Sequence, residues 1–403
     1  MREAKGEDMS LGRRKMLLRS AKALAACLVC SVLACAQAQR GGEGQVAATA
    51  EKPQMAEDIL KNVQVLRGIS MDEFMGTMGF FASALSMNCI DCHVQEAATD
   101  WTKYADDTPL KQTARKMVLM VRTINQANFG GKTAITCYTC HRSNDTPKIV
   151  PSIAEQYEVV PDVDPNDLKS GGRAKSPSGP SVDQVLDKYI QAVGGAQGLA
   201  GLTSFVAKGL YEGFDTGDAK IPFDMYAKAP AQRTTIAHAV GEGGARKDST
   251  TAFDGRNGWV AARNSLVPVL TLTGGNLDGA KVDAQLSFPG QIKQVLTNWT
   301  SDFPATQIDG HPVQVVQGTS GKSLVKLYFD KTSGLLVRQV RYADTIVGPN
   351  PTQVDYSDYR DVSGIKMPFH LVISWTDGRT IIDLQDVQLN APIDAAKFAK
   401  PAP

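Results

Sequence analysis

One pentapeptide pattern occurs twice in this sequence, as Cys89-Ile-Asp-Cys92-His93 and Cys137-Tyr-Thr-Cys140-His141. Its spacing carries a chemistry. Two thiols three residues apart on a tight helical turn reach the two vinyl groups of one porphyrin, and the adjacent imidazole rises to the iron. With 7 cysteines and 5 histidines in 403 residues, chance gives about 0.0015 such pentapeptides. The alternatives are small disulfides, a zinc site of four cysteines or of two cysteines with two histidines, and a thioredoxin-like redox pair. Neither motif begins a strand-to-helix unit, and each brings its own histidine directly after the second cysteine. The pattern therefore reads as two covalently bound c-type haems held by Cys89, Cys92, Cys137 and Cys140, with His93 and His141 on the irons.

The remaining cysteines agree with an exported chain. Arg13, Arg14, Lys15, Arg19 and Lys22 precede an apolar run from Ala23 to Ala34, and Cys27, Cys30 and Cys35 lie in or beside it. That run is too short to span a bilayer comfortably and has the form of a signal segment. Two processing sites stay open, after Ala36-Gln37-Ala38 or before a lipid-bearing Cys35. The Arg13-Arg14 pair has the look of a twin-arginine signal, but haem is attached outside the cytoplasm to a chain that crossed unfolded. The expected location is the periplasm, with or without a lipid anchor on Cys35. A formal net charge of +1 gives no basic footprint for nucleic acid.

Residues 39–53 read as a tether, and 54–150 as a mainly helical domain. Ala56, Ile59, Val63 and Leu66 share one helical face, and further helices are expected over Met71 to Leu85 and Lys111 to Ala127. Each iron needs a sixth ligand or an open position. From Gly41 to Val160 the only histidines are His93 and His141, so methionine is the remaining donor. Met71, Met75 and Met78 recur at i, i+4 and i+7, and Met117 and Met120 lie three apart on another helix. Met87 is too near Cys89 to reach the far side of the porphyrin. Met stripes are more often flexible core filler, and only two of these can be ligands.

The segments Met78-Gly-Phe-Phe-Ala-Ser-Ala-Leu-Ser-Met-Asn-Cys-Ile-Asp-Cys-His93, Thr113-Ala-Arg-Lys-Met-Val-Leu-Met-Val-Arg-Thr-Ile-Asn125 and Thr136-Cys-Tyr-Thr-Cys-His-Arg142 resemble the cytochrome c subunit of photosynthetic reaction centres. The resemblance covers roughly Gln54 to Arg142. It implies, for each haem, a methionine-bearing helix, a turn and a helix starting at the cysteine motif. Carried over, it makes Met78 the axial partner of His93 and Met117 that of His141, with Met75 and Met120 next in line. That family carries four haem motifs where this chain has two, and its loop before the second motif supplies a histidine that this chain lacks between Asn125 and Cys137. The resemblance thus implies a two-haem relative that serves an electron-transfer chain of its own.

Residues 151–180 shift to Pro, Asp, Ser and Gly and read as a linker. From 181 to 403, one helix (Val182 to Val193) precedes short alternating runs broken by turns such as Asp254-Gly255, Asp309-Gly310 and Ser363-Gly364. Leu324 to Asp330 and Leu335 to Arg341 read as a hairpin. Thr251-Ala-Phe-Asp-Gly-Arg-Asn-Gly-Trp-Val260 and Gln353-Val-Asp-Tyr-Ser-Asp-Tyr-Arg-Asp-Val-Ser-Gly-Ile-Lys-Met-Pro368 resemble the periplasmic lipoprotein-sorting carriers. This implies an antiparallel β half-barrel curled over a packed helix, with a concave apolar face that could take a lipid or acyl chain. His238, His311 and His370 are scattered and read as surface or satisfied core residues. Trp259, Trp299 and Trp375 read as core or cavity lining.

The fold class expected is therefore multidomain, a mainly α dihaem cytochrome c domain followed by an α+β half-barrel. The expected activity is single-electron transfer between redox proteins, some of them membrane-bound, rather than enzyme catalysis. The competing classes are a dihaem peroxidase and a lipid or lipoprotein carrier with a redox-sensing haem domain.

Overall fold

Ser70 starts the first long helix by accepting the backbone N–H of Glu73 at 3.1 Å, and two acids, Asp72 and Glu73, occupy its positive first turn. Among the described residues this helix is the second of five α-helices in the N-terminal half: α1 (Ala56–Ile59), α2 (Met71–Leu85), α3 (Cys89–Cys92), α4 (Pro109–Phe129) and α5 (Cys137–His141). The computed structural model describes residues 51–151, 153, 179–241, 247–262, 266–301, 303 and 306–402. The export segment, Cys35, most of the tether and nearly all of the linker lie outside the described residues.

The helix expected from Ala56 through Leu66 stops at Ile59. Asn62 adopts φ +60° and spends its side chain on the Ala105 carbonyl (2.7 Å) and on Asp107 (2.9 Å), the kind of local polar bonding that competes with a helix. Leu60, Val63 and Leu66 still reach the same apolar cluster, from a turn. In α4, Thr108 is the N-cap, Pro109 takes the first position, and Gly130 ends the helix in the left-handed region.

The C-terminal half opens with α6 (Val182–Ala192) and α7 (Gly195–Ala200). It continues through β1 (Ser204–Gly213), β2 (Ile221–Lys228), β3 (Gln232–Ala237), β4 (Ser249–Phe253), β5 (Gly258–Ala262) and β6 (Val269–Thr271). Two helices follow, α8 (Gly274–Leu286) and α9 (Ile292–Val295), and then β7 (Thr297–Thr300), β8 (Thr306–Ile308) and β9 (His311–Ser320). The last strands are β10 (Ser323–Asp330), β11 (Leu336–Thr345), β12 (Gly348–Val362), β13 (Ile365–Trp375) and β14 (Gly378–Leu389). All belong to one antiparallel sheet in the order β6-β5-β4-β3-β2-β1-β14-β13-β12-β11-β10-β9-β7, with β8 on β9. Two meanders, β1 to β6 and β9 to β14, are thus joined where β1 pairs with β14, Phe205 opposite Leu389. The expected hairpin is β10–β11, its turn closed by Gly334 at φ +76° and by the Asp330 carboxylate accepting from Ser333 and Thr332.

The main core lies on one face of the sheet, and a smaller cluster of Phe303, Val313, Tyr328 and Tyr342 lies apart from it. Val185, Leu186, Tyr189 and Ile190 of α6, Val282 of α8, and Ile292 and Val295 of α9 meet Phe205, Phe223, Leu327, Phe329 and Ile382. With Leu199 of α7, four helices therefore cover a face where the sequence pattern shows one. The α8 signal is weak because its buried residues, Gly279, Val282 and Ala284, are small and make no stripe. The space left is a cavity of about 90 Å³ lined by Tyr189, Phe205, Met225, Arg233, Tyr356 and Met367 among others. An engineered cavity that takes up benzene is larger, about 150 Å³.

Ala50–Pro403 is one compact unit. Val347, from the β11–β12 turn, completes the cluster of Leu66, Ile69, Phe80, Ala84 and Val118. Gln54 brackets the edge strand β6, donating to the Val269 carbonyl (2.9 Å) and accepting from the Thr271 N–H (3.0 Å), which occupies hydrogen-bonding groups that an edge would leave open.

Candidate haem-binding site

Each cysteine motif is a short helical segment with its own cap. At the first, the Asn88 side chain accepts the N–H groups of Ile90 and Asp91, while the Asp91 carboxylate accepts the Asn88 N–H, a reciprocal capping box. At the second, Thr136 and Thr139 make the same arrangement. This closes a turn of helix over four or five residues, too short to persist by propensity alone, and sets both thiols of each pair on it.

Thr108 ties the first motif to α4. Its hydroxyl donates to the Cys92 carbonyl at 2.6 Å and also accepts the Lys111 N–H as the N-cap of α4. The His93 ring lies edge-on to Tyr104 at 4.7 Å between centroids, and Tyr104 packs on Trp101 at 5.2 Å. Burial holds the His93 imidazole below its ordinary pKa, and the charges of Lys111 and Arg115 act in the same sense. It is therefore neutral near pH 7, the form with a lone pair to give. Its Nδ1 is buried with no hydrogen-bond partner.

Asn125 of α4 holds the loop before the second motif, donating to the Ile135 carbonyl (2.8 Å) and accepting from the N–H groups of Ala134 and Ile135. After α5 the chain turns through Arg142 and Ser143, both at positive φ, and the Ser143 N–H bonds the Ala84 carbonyl of α2 at 3.0 Å. His141 Nδ1 lies 2.9 Å from the Asn144 carbonyl. A proton fixed on Nδ1 by a carbonyl leaves Nε2 as the free donor, as in metal-ligating histidines.

The four cysteines make no disulfide. Burial raises the pKa of the Cys92 and Cys137 thiols. Among the described residues no three His, Cys, Asp or Glu side chains gather as a metal-ligand cluster. Apolar surface is uncovered along α4 and on the second motif: Leu110, Met117, Leu119, Met120, Phe129 and Tyr138 are all exposed. One-turn thiol pairs, histidines with a nitrogen to spare and bare apolar walls together fit a covalent haem at each motif.

The methionines fall on matched stripes. Met71, Met75, Met78, Ala82 and Leu85 of α2 and Leu110, Ala114, Met117, Val121 and Ile124 of α4 both follow i, i+4, i+7, i+11, i+14, with Met78 and Met117 at the same place in each. Met78 packs on the Phe80–Ala84–Val118 cluster, to which Cys137 also belongs. Met75 (41%), Met117 (36%) and Met120 (44%) are more exposed. The Met87 sulfur sits 3.7 Å from Cys92 Sγ, on the cysteine side. Asp72, Asn350 and Asp377, which hold α2, were not evident from the sequence.

Residues 31–167 match the family described as photosynthetic reaction centre cytochrome C subunit. Two curated relatives carry the name photosynthetic reaction center cytochrome c subunit. That of Thermochromatium tepidum is 36% identical over 116 residues, 28% of this chain and 27% of the relative. That of Roseobacter denitrificans is 32% identical over 102 residues, 23% and 27% of the two chains. The chain thus spans about a quarter of the length of these relatives. Among solved structures, a LolA superfamily protein from Nitrosomonas europaea aligns with 55% of this chain and 99% of its own, at 13% identity and TM-score 0.36. A putative outer membrane lipoprotein-sorting protein domain from Vibrio parahaemolyticus aligns with 53% and 97%, at 10% identity and TM-score 0.36. No helix among the described residues is long and apolar enough to cross a membrane.

Proposed function

We propose that this chain is an exported electron-transfer cytochrome carrying two c-type haems, one on Cys89 and Cys92 and one on Cys137 and Cys140. His93 and His141 each give one axial ligand, Met78 and Met117 the other. Each haem iron, when bound, takes up and releases a single electron. The protein's part is to hold the thiols on capped turns, to keep His93 neutral, to orient His141 through Asn144, and to bury the ring faces against the stripes of α2 and α4. Ligation by one histidine and one methionine would leave the iron no open site for peroxide, which would favour electron transfer and raise the potential relative to two histidines. The observation that carries this reading is the pair of capped Cys-x-x-Cys-His turns, in a segment similar to reaction centre cytochromes. The test is a stepwise redox titration of the purified protein. Two one-electron waves with no peroxidase turnover support it, and an iron that turns over peroxide contradicts it.

The first 38 residues serve export, with Cys35 as the lipidation site if cleavage falls before it, and 151–180 links the haem segment to the β-domain. Intact mass of the mature chain distinguishes the two cleavage sites. A second reading, acyl binding by the β-domain, rests on the apolar cavity bounded by Tyr189, Phe205 and Met225 with Arg233 at its wall. At about 90 Å³ it must open before it takes an acyl chain. Organic extraction of the purified protein should yield bound lipid if that opening occurs, and none if the helices stay shut.

A further inference from the structure

The face of α2 that meets the β-domain is about 100° round the helix from its methionine stripe. Asp72, Gly76 and Gly79 make that face, and three parts of the β-domain grip it. Asn350 of β12 donates from Nδ2 to the Gly76 carbonyl at 3.2 Å. A methyl group at Gly79 would lie 2.9 Å from both Asp377 Oδ1 and Thr376 Oγ1 of the β13–β14 turn, so glycine is what lets that turn close on the helix. Asp72 accepts the Thr273 N–H and the Asn276 amide, each at 2.9 Å, at the start of α8.

Asn350 is an uneconomical residue for stability alone. Its Oδ1 is buried without a partner, and a half-satisfied buried amide is a poor stabiliser. What it does achieve is a directed bond to the middle of the helix that carries Met75 and Met78. The bond, the glycine contact and the Asp72 anchor act at successive turns of α2 and fix both its height and its rotation.

We propose that Asn350 and Gly79 are positioning residues for the first haem, and that the β-domain serves as the wall which sets the Met78 side chain toward the iron. The proposal rests on the reading of Met78 as an axial ligand. A thioether is a weak ligand, so a small rotation of α2 is enough to lengthen or lose its bond. The second methionine, Met117, is on α4, whose Val118 meets the β11–β12 turn through Val347 and not through Asn350 or Gly79, so the second haem serves as the reference.

The test uses the full-length protein with both haems attached and compares Asn350→Ala, Gly79→Ala, Met78→Ala and Met117→Ala. The readouts are the iron-to-sulfur charge-transfer absorption and the reduction potential of each haem, with circular dichroism to confirm the fold. Asn350→Ala and Gly79→Ala are expected to weaken the band and lower the potential of the haem that Met78→Ala affects, leaving unchanged the one that Met117→Ala affects. If Gly79→Ala fails to fold, Asn350→Ala, which removes one side-chain bond, decides. Folded variants with both bands and potentials intact, or with both haems shifted equally, overturn the positioning role. A Met78→Ala protein that keeps both bands overturns the ligand assignment beneath it and the proposal with it.

Discussion

Burial pushes the Asp72 carboxyl up to about 6, although hydrogen bonds from Thr273 and Asn276 pull it down. A folded-state pKa above that of the unfolded chain means that the folded form binds the proton more tightly, so this group favours folding at low pH and disfavours it as pH rises through about 6. The difference amounts to on the order of 3 kcal/mol between about pH 4 and pH 7. Asp72→Asn should therefore gain most over the wild type in thermal midpoint near neutral pH, with the gain shrinking toward about pH 4. A pH-independent difference would show that Asp72 is ionised equally in both states. At the irons, Met78→Ala and Met117→Ala should each abolish one charge-transfer band, open one reduced haem to carbon monoxide and lower its potential. If Met75→Ala or Met120→Ala does so instead, the ligand lies one turn away on the same helix. The two Cys-x-x-Cys-His turns were legible because each is a local pattern, closed by the cap residue directly before it. Asn350 and Gly76, 274 residues apart, were not, since nothing local in either segment records the contact.

Helices α2 and α4 and the β10–β11 hairpin show in the sequence for a common reason: each has an unbroken period and a capping or turn residue at its end. The pattern fails at α1, where Asn62 diverts the chain through side-chain bonds to a loop more than forty residues on, and at α8, whose small buried residues leave no stripe. The helices on the packed face matter for stability in proportion to what they bury. Leu186 of α6 is 1% exposed, and Leu186→Ala should cost about 2–5 kcal/mol through lost transfer energy and a cavity beside the one already present. Denaturant midpoints measure this. A loss well under 1 kcal/mol would mean that α6 relaxes onto the sheet and that the face is plastic enough to admit a ligand.

The two parts of the molecule share a cluster, an edge strand and a helix cap. A fragment from Ser181 onward keeps the whole sheet and helices α6 to α9, so it should unfold cooperatively on its own. It should do so at a lower denaturant concentration than the full chain, because the start of α8 loses Asp72 and β6 loses Gln54. Equal midpoints would show that the haem segment rests on the β-domain without supporting it. The central claim, however, is chemical, and the intact mass of the denatured, mature protein tests it most directly. Two haem masses above the processed polypeptide, surviving denaturation because the thioether bonds are covalent, is the result expected from Cys89, Cys92, Cys137 and Cys140. A single haem, or a polypeptide mass with zinc released on denaturation, would contradict it.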